Sequence, residues 1–305
     1  MRLALVVLVG CGRIDYNEGR VDAPAPWTIE RTSDVDVNHF AIWGNAEDEL
    51  IVVGDSTLLT STGSGDWTSI VVPPTGYYGV WGSGPRNTYV VGNVIAGDAA
   101  IYHLTSTLTR EPSGTSQALN TVWGSSANDV YIVGYDGTIL RSTGDGTWTA
   151  QTSAAPDDLL GLWGSGATDI YAVGDAGTRL HSTGDWTWAR QPAPSTRQLV
   201  SVMGCSASDV YVVGHGGTVL HSTGDGTWTL QPTPVTTNLI NVWCTAPDEV
   251  YATGVGGAVL RSRGDGVWTV DHVFPGVAQL DGIWSSATGV LYVVGRPGFI
   301  ARRGP

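Results

Sequence analysis

Short apolar segments alternate with turn residues along the chain, and the same order of segments returns about every 40 residues. The copy that starts at Leu119 reads "LNTVWGS", "DVYIVG", "TILRS" and "TWTAQ", separated by "SSAN", "YDG" and "TGDG". β-Branched and aromatic residues favour strands, whereas Gly, Asp, Asn and Ser favour tight turns. Each copy therefore predicts four short strands joined by turns.

One aromatic position in the first segment aligns the copies and counts them. It holds Trp in six copies and Met in the fifth, at Trp43, Trp81, Trp123, Trp163, Met203, Trp243 and Trp284. Four short strands at this period are typical of one β-propeller blade. The predicted fold is all-β, a seven-bladed β-propeller with four-stranded antiparallel blades.

The two ends of the repeat region complement each other. The seventh copy stops at Pro305 after three strands, and a segment like its missing fourth strand, "APWTIER", lies around Trp27. Pairing these segments would close the ring and leave no open blade edge. We expect residues 27–305 to form one closed propeller in which the N-terminal strand completes the last blade.

The phrase "GTILRSTGDGTW" in the third copy resembles the blades of BNR/Asp-box and photosystem-assembly-factor-like propellers, within the broader WD40/YVTN-like type. The resemblance extends over residues 27–305. It departs from the Asp-box pattern because Trp148 follows Asp145 by three positions, where that family usually has five. The resemblance implies a propeller that binds a partner. BNR-like propellers also include sialidases.

The first eleven residues, "MRLALVVLVGC", resemble a bacterial lipoprotein signal peptide in which Cys11 carries the lipid. This implies a signal peptide at 1–10, a lipidated tether at 11–26 and attachment to the cell envelope, at the outer membrane. An ordinary secretory segment and a first β-strand are the alternatives. The apolar run is too short to span a bilayer.

The formal net charge of −13 narrows the range of partners. Nucleic-acid binding needs a basic patch that neutralises phosphates, and this chain has no Lys at all. The same acidity repels an anionic lipid surface, so membrane contact is expected only through the lipid anchor. We expect a monomer whose partner is a protein or a glycan.

Most aromatic residues that recur are interpreted as packing residues, because a buried Trp removes about 150–250 Å² from water. A second Trp set opens the fourth strand, at Trp27, Trp67, Trp148, Trp188, Trp228 and Trp268. A Tyr set lies on the second strand, at Tyr89, Tyr131, Tyr171, Tyr211, Tyr251 and Tyr292.

Reactive-looking residues also recur, which favours a structural role for them. The segment "HSTGD" at His181 and His221 has Arg in place of His in sister copies, so a catalytic triad is not expected there. The acids of the last turn are interpreted as backbone caps, at Asp145, Asp185, Asp225 and Asp265. A second acidic set precedes the second strand, at Asp129, Asp169, Asp209 and Glu249. Both sets of acids are expected on one rim of the propeller in a structural role. The alternative is that they share a cation-binding site there.

No motif predicts a metal, a cofactor or a catalytic residue. The segment "DVDVN" places Asp34, Asp36 and Asn38 at the opening spacing of a calcium loop, but the later Gly and Glu of such a loop are missing. Cys205 and Cys244 lie near the ends of the first strands of adjacent copies. They form a disulfide if the compartment is oxidising, and otherwise they are small buried residues.

Function is expected where the copies differ, and the turn between the second and third strands differs most. The candidate ligand-binding residues there are Asp55, Tyr135, Asp136, Asp175, His215 and Arg296. The favoured hypothesis is a non-enzymatic, lipid-anchored binding or assembly scaffold. The alternative is a BNR-like polysaccharide hydrolase or lyase, which would need paired carboxylates at the channel.

Overall fold

The computed structural model describes residues 25–31, 37–192 and 194–304. They form seven four-stranded antiparallel sheets arranged in a ring, which confirms the predicted β-propeller. Cys11, most of the tether, Asp34 and Asp36 lie outside these residues. Across the described ranges no helix has the length and apolar character needed to cross a membrane.

The innermost strand of each blade has seven or eight residues, and in most blades the second strand is the most buried. The innermost strands are β2 (His39–Ala46), β6 (Tyr77–Gly84), β10 (Leu119–Ser126), β14 (Leu159–Gly166), β18 (Leu199–Ser206), β22 (Leu239–Ala246) and β26 (Gln279–Ser285). The second strands are β3 (Glu49–Gly54), β7 (Asn87–Ile95), β11 (Asp129–Gly134), β15 (Asp169–Gly174), β19 (Asp209–Gly214), β23 (Glu249–Gly254) and β27 (Leu291–Arg296).

The two outer strands are shorter in most blades. The third strands are β4 (Thr57–Ser61), β8 (Asp98–Leu104), β12 (Ile139–Ser142), β16 (Arg179–Ser182), β20 (Thr218–Ser222), β24 (Ala258–Ser262) and β28 (Phe299–Arg303). The outermost strands are β5 (Thr68–Ile70), β9 (Leu108–Glu111), β13 (Thr149–Ala150), β17 (Ala189–Arg190), β21 (Thr229–Gln231), β25 (Trp268–Val273) and β1 (Trp27–Arg31). We number the blades 1 to 7 from the one that β2 begins.

The seventh blade is closed by the N-terminal segment, as the sequence predicts. Its strand order is β1-β28-β27-β26, with Trp27 opposite Arg303 in an antiparallel pair. The Arg303 guanidinium lies 4.7 Å from the centre of the Trp27 ring and 2.6 Å from the Asp271 carboxylate of blade 6. The closing strand is therefore held by backbone pairing and by the cation–π contact of Trp27 with Arg303, whose charge is paired with Asp271.

In most blades the Trp of the innermost strand packs against a Gly of the next blade. Trp81 covers Gly124 so closely that a Cβ atom there would lie 2.5 Å from the ring, and Trp123 covers Gly164 in the same way. Trp284 covers Gly44, which repeats the contact across the closure of the ring. Gly is needed at these positions because the neighbouring indole occupies the space.

The contact between blades 5 and 6 is made differently. Blade 5 has Met203 in place of Trp, and blade 6 has Cys244 in place of the covered Gly. The structure joins Cys244 to Cys205 in a disulfide, with both residues packed beside Met203 on the core shared by the two blades. A covalent bond therefore lies where four other pairs of blades have an indole on a glycine.

The second Trp set ties each blade to the one before it. Trp188 lies edge-on to Tyr131 of blade 3, and its Nε1 donates a hydrogen bond of 2.7 Å to Gln151 Oε1. Trp228 repeats the arrangement with Tyr171 and Gln191. These residues are scaffold, as their recurrence in the sequence predicts.

Candidate functional site

A collar of seven side chains, one from each innermost strand, surrounds one opening of the central channel. Its members occupy one repeat position, at Phe40, Tyr78, Asn120, Leu160, Val200, Ile240 and Asp281. The cavity that they enclose has a volume of about 590 Å³. We call this opening the mouth; the turns between second and third strands lie at the same face of the ring.

The collar is not uniform around the ring. Blades 4 to 6 contribute three neighbouring aliphatic residues, whereas blades 1 and 2 contribute aromatic rings, with Phe40 and Tyr78 5.5 Å apart. Burial raises the pKa of Tyr78, and nearby Tyr135 and Asp55 raise it further, so its hydroxyl stays protonated at neutral pH. The mouth therefore offers apolar and aromatic surface with few charges.

The main charge at the mouth is an ion pair within blade 7. Arg296 Nε donates to Asp281 Oδ2 at 2.9 Å and Arg296 Nη2 donates to Oδ1 at 2.6 Å, in a bidentate arrangement. Asp281 is nearly buried, whereas the Arg296 side chain is 39% exposed and lies 5.0 Å over the Phe40 ring. The hydrogen bonds to Asp281 raise the pKa of Arg296, which remains a fixed cation.

Three of the residues predicted for ligand binding line this cavity, namely Tyr135, His215 and Arg296. Tyr135 is 41% exposed, a large fraction for an aromatic side chain. The backbone amides of Tyr135 and His215 each donate 2.9 Å hydrogen bonds to the residue before an innermost strand, Ala118 and Gln198 respectively. The turns are thereby fixed while their side chains face the opening.

The other three predicted residues are held by neighbours at the same face. Asp55 accepts a 2.7 Å hydrogen bond from Asn38 Nδ2, and Asp175 accepts one from Gln198. Asp136 accepts a 2.6 Å hydrogen bond from Gln117 Nε2 and lines a separate groove beside the mouth. The structure thus places Tyr135, His215 and Arg296 on the wall of one cavity. The three acids lie at the same face of the ring and are hydrogen-bonded to neighbouring side chains.

Sequence reasoning missed the collar itself, including Phe40, Tyr78 and Asp281. These residues lie three positions before the repeated Trp, where four sister copies have Asn or an aliphatic residue. The sequence did contain one indication of the collar, because two aromatic residues and one acid occupy this position in the other three copies.

The opposite rim carries the recurrent acids, each paired with the Arg or His of the same blade. The pairs and their distances are Asp129–Arg141 at 2.9 Å, Asp169–His181 at 2.7 Å, Asp209–His221 at 2.7 Å and Glu249–Arg261 at 2.8 Å. Because His and Arg bind the same carboxylate position, either residue fits the repeat. Asp145 Oδ1 accepts a 2.9 Å hydrogen bond from the backbone N of Thr147, which confirms its interpretation as a cap.

Within residues 25–31, 37–192 and 194–304, no three His, Cys, Asp or Glu side chains are grouped to hold a metal ion. Among the described residues that line the channel, Asp281 is the one carboxylate, and Arg296 binds both of its oxygens.

Comparison with known proteins identifies the fold. No family model matches the chain, and no curated protein matches it. Among solved structures, YCF48 bound to D1 peptide is 17% identical, with 93% of this chain and 97% of that chain covered and a TM-score of 0.72.

Two further structures of different function share the ring. A catalytically inactive variant of virginiamycin B lyase from Staphylococcus aureus with quinupristin is 12% identical, with 92% of this chain and 99% of that chain covered and a TM-score of 0.82. The WD40 β-propeller domain of Doa1 is 10% identical, with 91% and 97% covered and a TM-score of 0.73. Because the same fold serves binding proteins and enzymes, these similarities establish the propeller and leave function to the site.

Proposed function

We propose that this protein is a non-enzymatic scaffold that binds a protein partner at the mouth of the propeller. The observation that carries the proposal is the row of side chains Arg296, Phe40, Tyr78 and Tyr135 along one edge of an open cavity. Aromatic and Arg side chains dominate the binding energy of protein interfaces, because they bury large areas with little loss of conformational freedom. YCF48 bound to D1 peptide gives a precedent for a peptide ligand on this fold.

We further propose that the propeller is lipid-anchored through Cys11 at the bacterial cell envelope. The lipobox-like sequence before Cys11 supports the anchor, and the Cys205–Cys244 disulfide supports an oxidising compartment outside the cytoplasm. Metabolic labelling with an azide-bearing fatty acid checks this. We expect label on the wild type and none on Cys11→Ser; a labelled Cys11→Ser protein would contradict the assignment.

Site-specific photocrosslinking tests the mouth as the binding surface. A photoreactive phenylalanine analogue replaces Tyr135 in one protein and Trp186 in another, since Trp186 is 49% exposed on the opposite rim. We expect protein adducts from position 135. For the recombinant partner identified in this way, Tyr135→Ser should weaken binding about tenfold, because it removes an exposed aromatic contact.

The matched control for this experiment is Trp186→Gly, because Gly146, Gly226 and Gly266 occupy the same turn position in sister blades. This variant should bind the partner as the wild type does. Adducts that form at position 186 and not at 135, or binding that is indifferent to Tyr135→Ser, would contradict the proposal.

The competing proposal is an enzyme, a polysaccharide hydrolase or a lyase, and it is favoured by the imidazole of His215 on the channel wall. A hydrolase of the usual kind needs two carboxylates at the scissile bond, whereas the channel-lining Asp281 is already bound by Arg296. Turnover of quinupristin or of a polysaccharide that His215→Asn abolishes would favour the enzyme over the scaffold.

A further inference from the structure

A groove between blades 2 and 3 opens at the same face as the mouth and has a volume of about 710 Å³. Its walls are the connection 113–115 of blade 2, the turn 136–138 of blade 3 and the connection 153–156. Its floor is formed by Ile139, Leu140 and Ala150. A long open groove with an apolar floor has the shape that an extended chain requires.

One residue of the groove is smaller than its counterparts in the other blades. Ala150 pairs with Leu140, and the pairing register identifies the equivalent residue in every blade. In the other blades this residue is Ser69, Arg110, Arg190, Leu230, Val270 and Ile29. Ala150 has the smallest side chain of the seven and lines the groove, so a larger side chain at this position would take up part of the groove.

The groove and the mouth meet at one turn. Tyr135 lines the mouth, and the next residue, Asp136, lines the groove. The turn is rigid, because Asp136 accepts from Gln117 and its backbone N donates a 2.9 Å hydrogen bond to Asp158. A ligand that lies in the groove therefore reaches the mouth by crossing the side chain of Tyr135.

Aromatic side chains continue around the mouth to a cation. Tyr78 lines the same cavity as Tyr135, Phe40 lies 5.5 Å from Tyr78, and the Arg296 guanidinium lies 5.0 Å from Phe40. Asp281 takes the Nε and Nη2 donors of Arg296, which leaves the Nη1 donors for an acceptor. Groove, aromatic side chains and cation thus form one surface at the same face of the ring, over blades 3, 2, 1 and 7.

We propose that this surface binds an extended peptide segment of the partner protein, with small or apolar side chains in the groove and a carboxylate on Arg296. The inference rests on the proposed scaffold function and specifies the ligand. Asp136, the one charged side chain among the described residues of the groove, is already hydrogen-bonded, so uncharged side chains fit there. The protein carries a net charge of −13, so the acidic group is recognised by local contact with Arg296 and not by long-range attraction.

A linear peptide library tests the inference with the full-length protein as bait. Twelve-residue peptides are selected by phage display, and the enriched sequences are synthesised and measured by fluorescence anisotropy. We expect apolar sequences that contain Asp or Glu. Replacing that acid by its amide should weaken binding about tenfold, the usual effect of losing a charge-assisted hydrogen bond. An amide that binds equally well would overturn the role of Arg296.

The groove is tested by filling it. Ala150→Leu introduces the residue that blade 5 carries as Leu230 at the same strand position, so the blade accepts it, and circular dichroism checks the fold. We expect peptide binding to weaken about tenfold or more, because the floor of the groove is occupied. The matched control, Ser69→Leu, makes the equivalent change on blade 1 and should leave binding unchanged.

The variants separate the two proposals. Loss of binding in Tyr135→Ser with full binding in Ala150→Leu would keep the mouth as the site and overturn the groove. Full binding in both variants would overturn the mouth and the groove together. A library with no enriched sequence would overturn the extended-peptide ligand, and the photocrosslinking experiment would then decide the scaffold function by itself.

Discussion

His39 departs from its repeat at a fully buried position. It opens β2 where blades 3 to 6 have Leu119, Leu159, Leu199 and Leu239. The side chain is 1% exposed, and its Nδ1 has no hydrogen-bond partner among the described residues. Burial lowers the pKa of His39 from 6.5 to about 4, so the imidazole is neutral in the folded protein at pH 7.

This buried imidazole makes stability depend on pH. Below pH 6.5 the unfolded chain takes up a proton at His39, whereas the folded protein does so only near pH 4. Stability is therefore complete above pH 6.5 and is lost as the pH falls towards 4, by about 3 kcal/mol. His39→Leu should remove this contribution. Urea unfolding of both proteins at pH 7 and pH 4 measures it, and identical pH dependences would contradict the assignment.

Single residues of the site were predictable only where a copy visibly breaks the repeat. Tyr135, His215 and Arg296 stand out because the turn varies between blades, and the structure places all three at the mouth. Phe40 and Tyr78 were harder to identify, because an aromatic residue in a strand is also the usual sign of a packed core. Whether such a residue packs in the core or faces the mouth depends on the direction of its side chain, and the sequence pattern does not show that direction.

At the scale of strands, the repeat predicts the inner elements better than the outer ones. The second strand of blade 3 is predicted at Asp129–Gly134, as the structure has it. The fourth strand is predicted as "TWTAQ" but spans only Thr149–Ala150. The second strand pairs on both edges and is buried along its length, whereas the outermost strand pairs on one edge only, so fewer contacts stabilise its ends.

The contacts between blades are also only partly predictable from the sequence. The sequence displays Met203, Cys205 and Cys244 as exceptions to the repeat but does not show that they replace one contact. The replacement follows from the ring, because in four pairs of blades the Trp of one innermost strand lies over the Gly that follows the repeated Trp position in the next blade. Trp243 adapts in another way, since its Nε1 donates a 2.8 Å hydrogen bond to Ser285, where blades 1 to 5 have Gly. Exceptions in neighbouring copies are coupled through the packing.

For the whole molecule, the repeat determines the number of blades, the closure and which turns share a face. It does not determine the ligand surface, because the mouth is assembled from one or two residues of each blade. Arg296 and Phe40 are far apart in the chain and adjacent in the ring only because blade 7 meets blade 1. The properties of the mouth therefore depend on the integrity of the closure.

Removing the closing strand tests this dependence. A chain that begins at Arg31 lacks most of β1, so β28 keeps its pairing with β27 but loses the partner on its other edge, and Arg303 loses the Trp27 ring. An unpaired strand edge and an exposed core should lower the melting temperature by about 10 °C or more relative to a chain that begins at Ala25. Differential scanning calorimetry compares the two chains. If both melt at the same temperature, β1 does not hold the ring closed, and the position of Arg296 beside Phe40 needs another explanation.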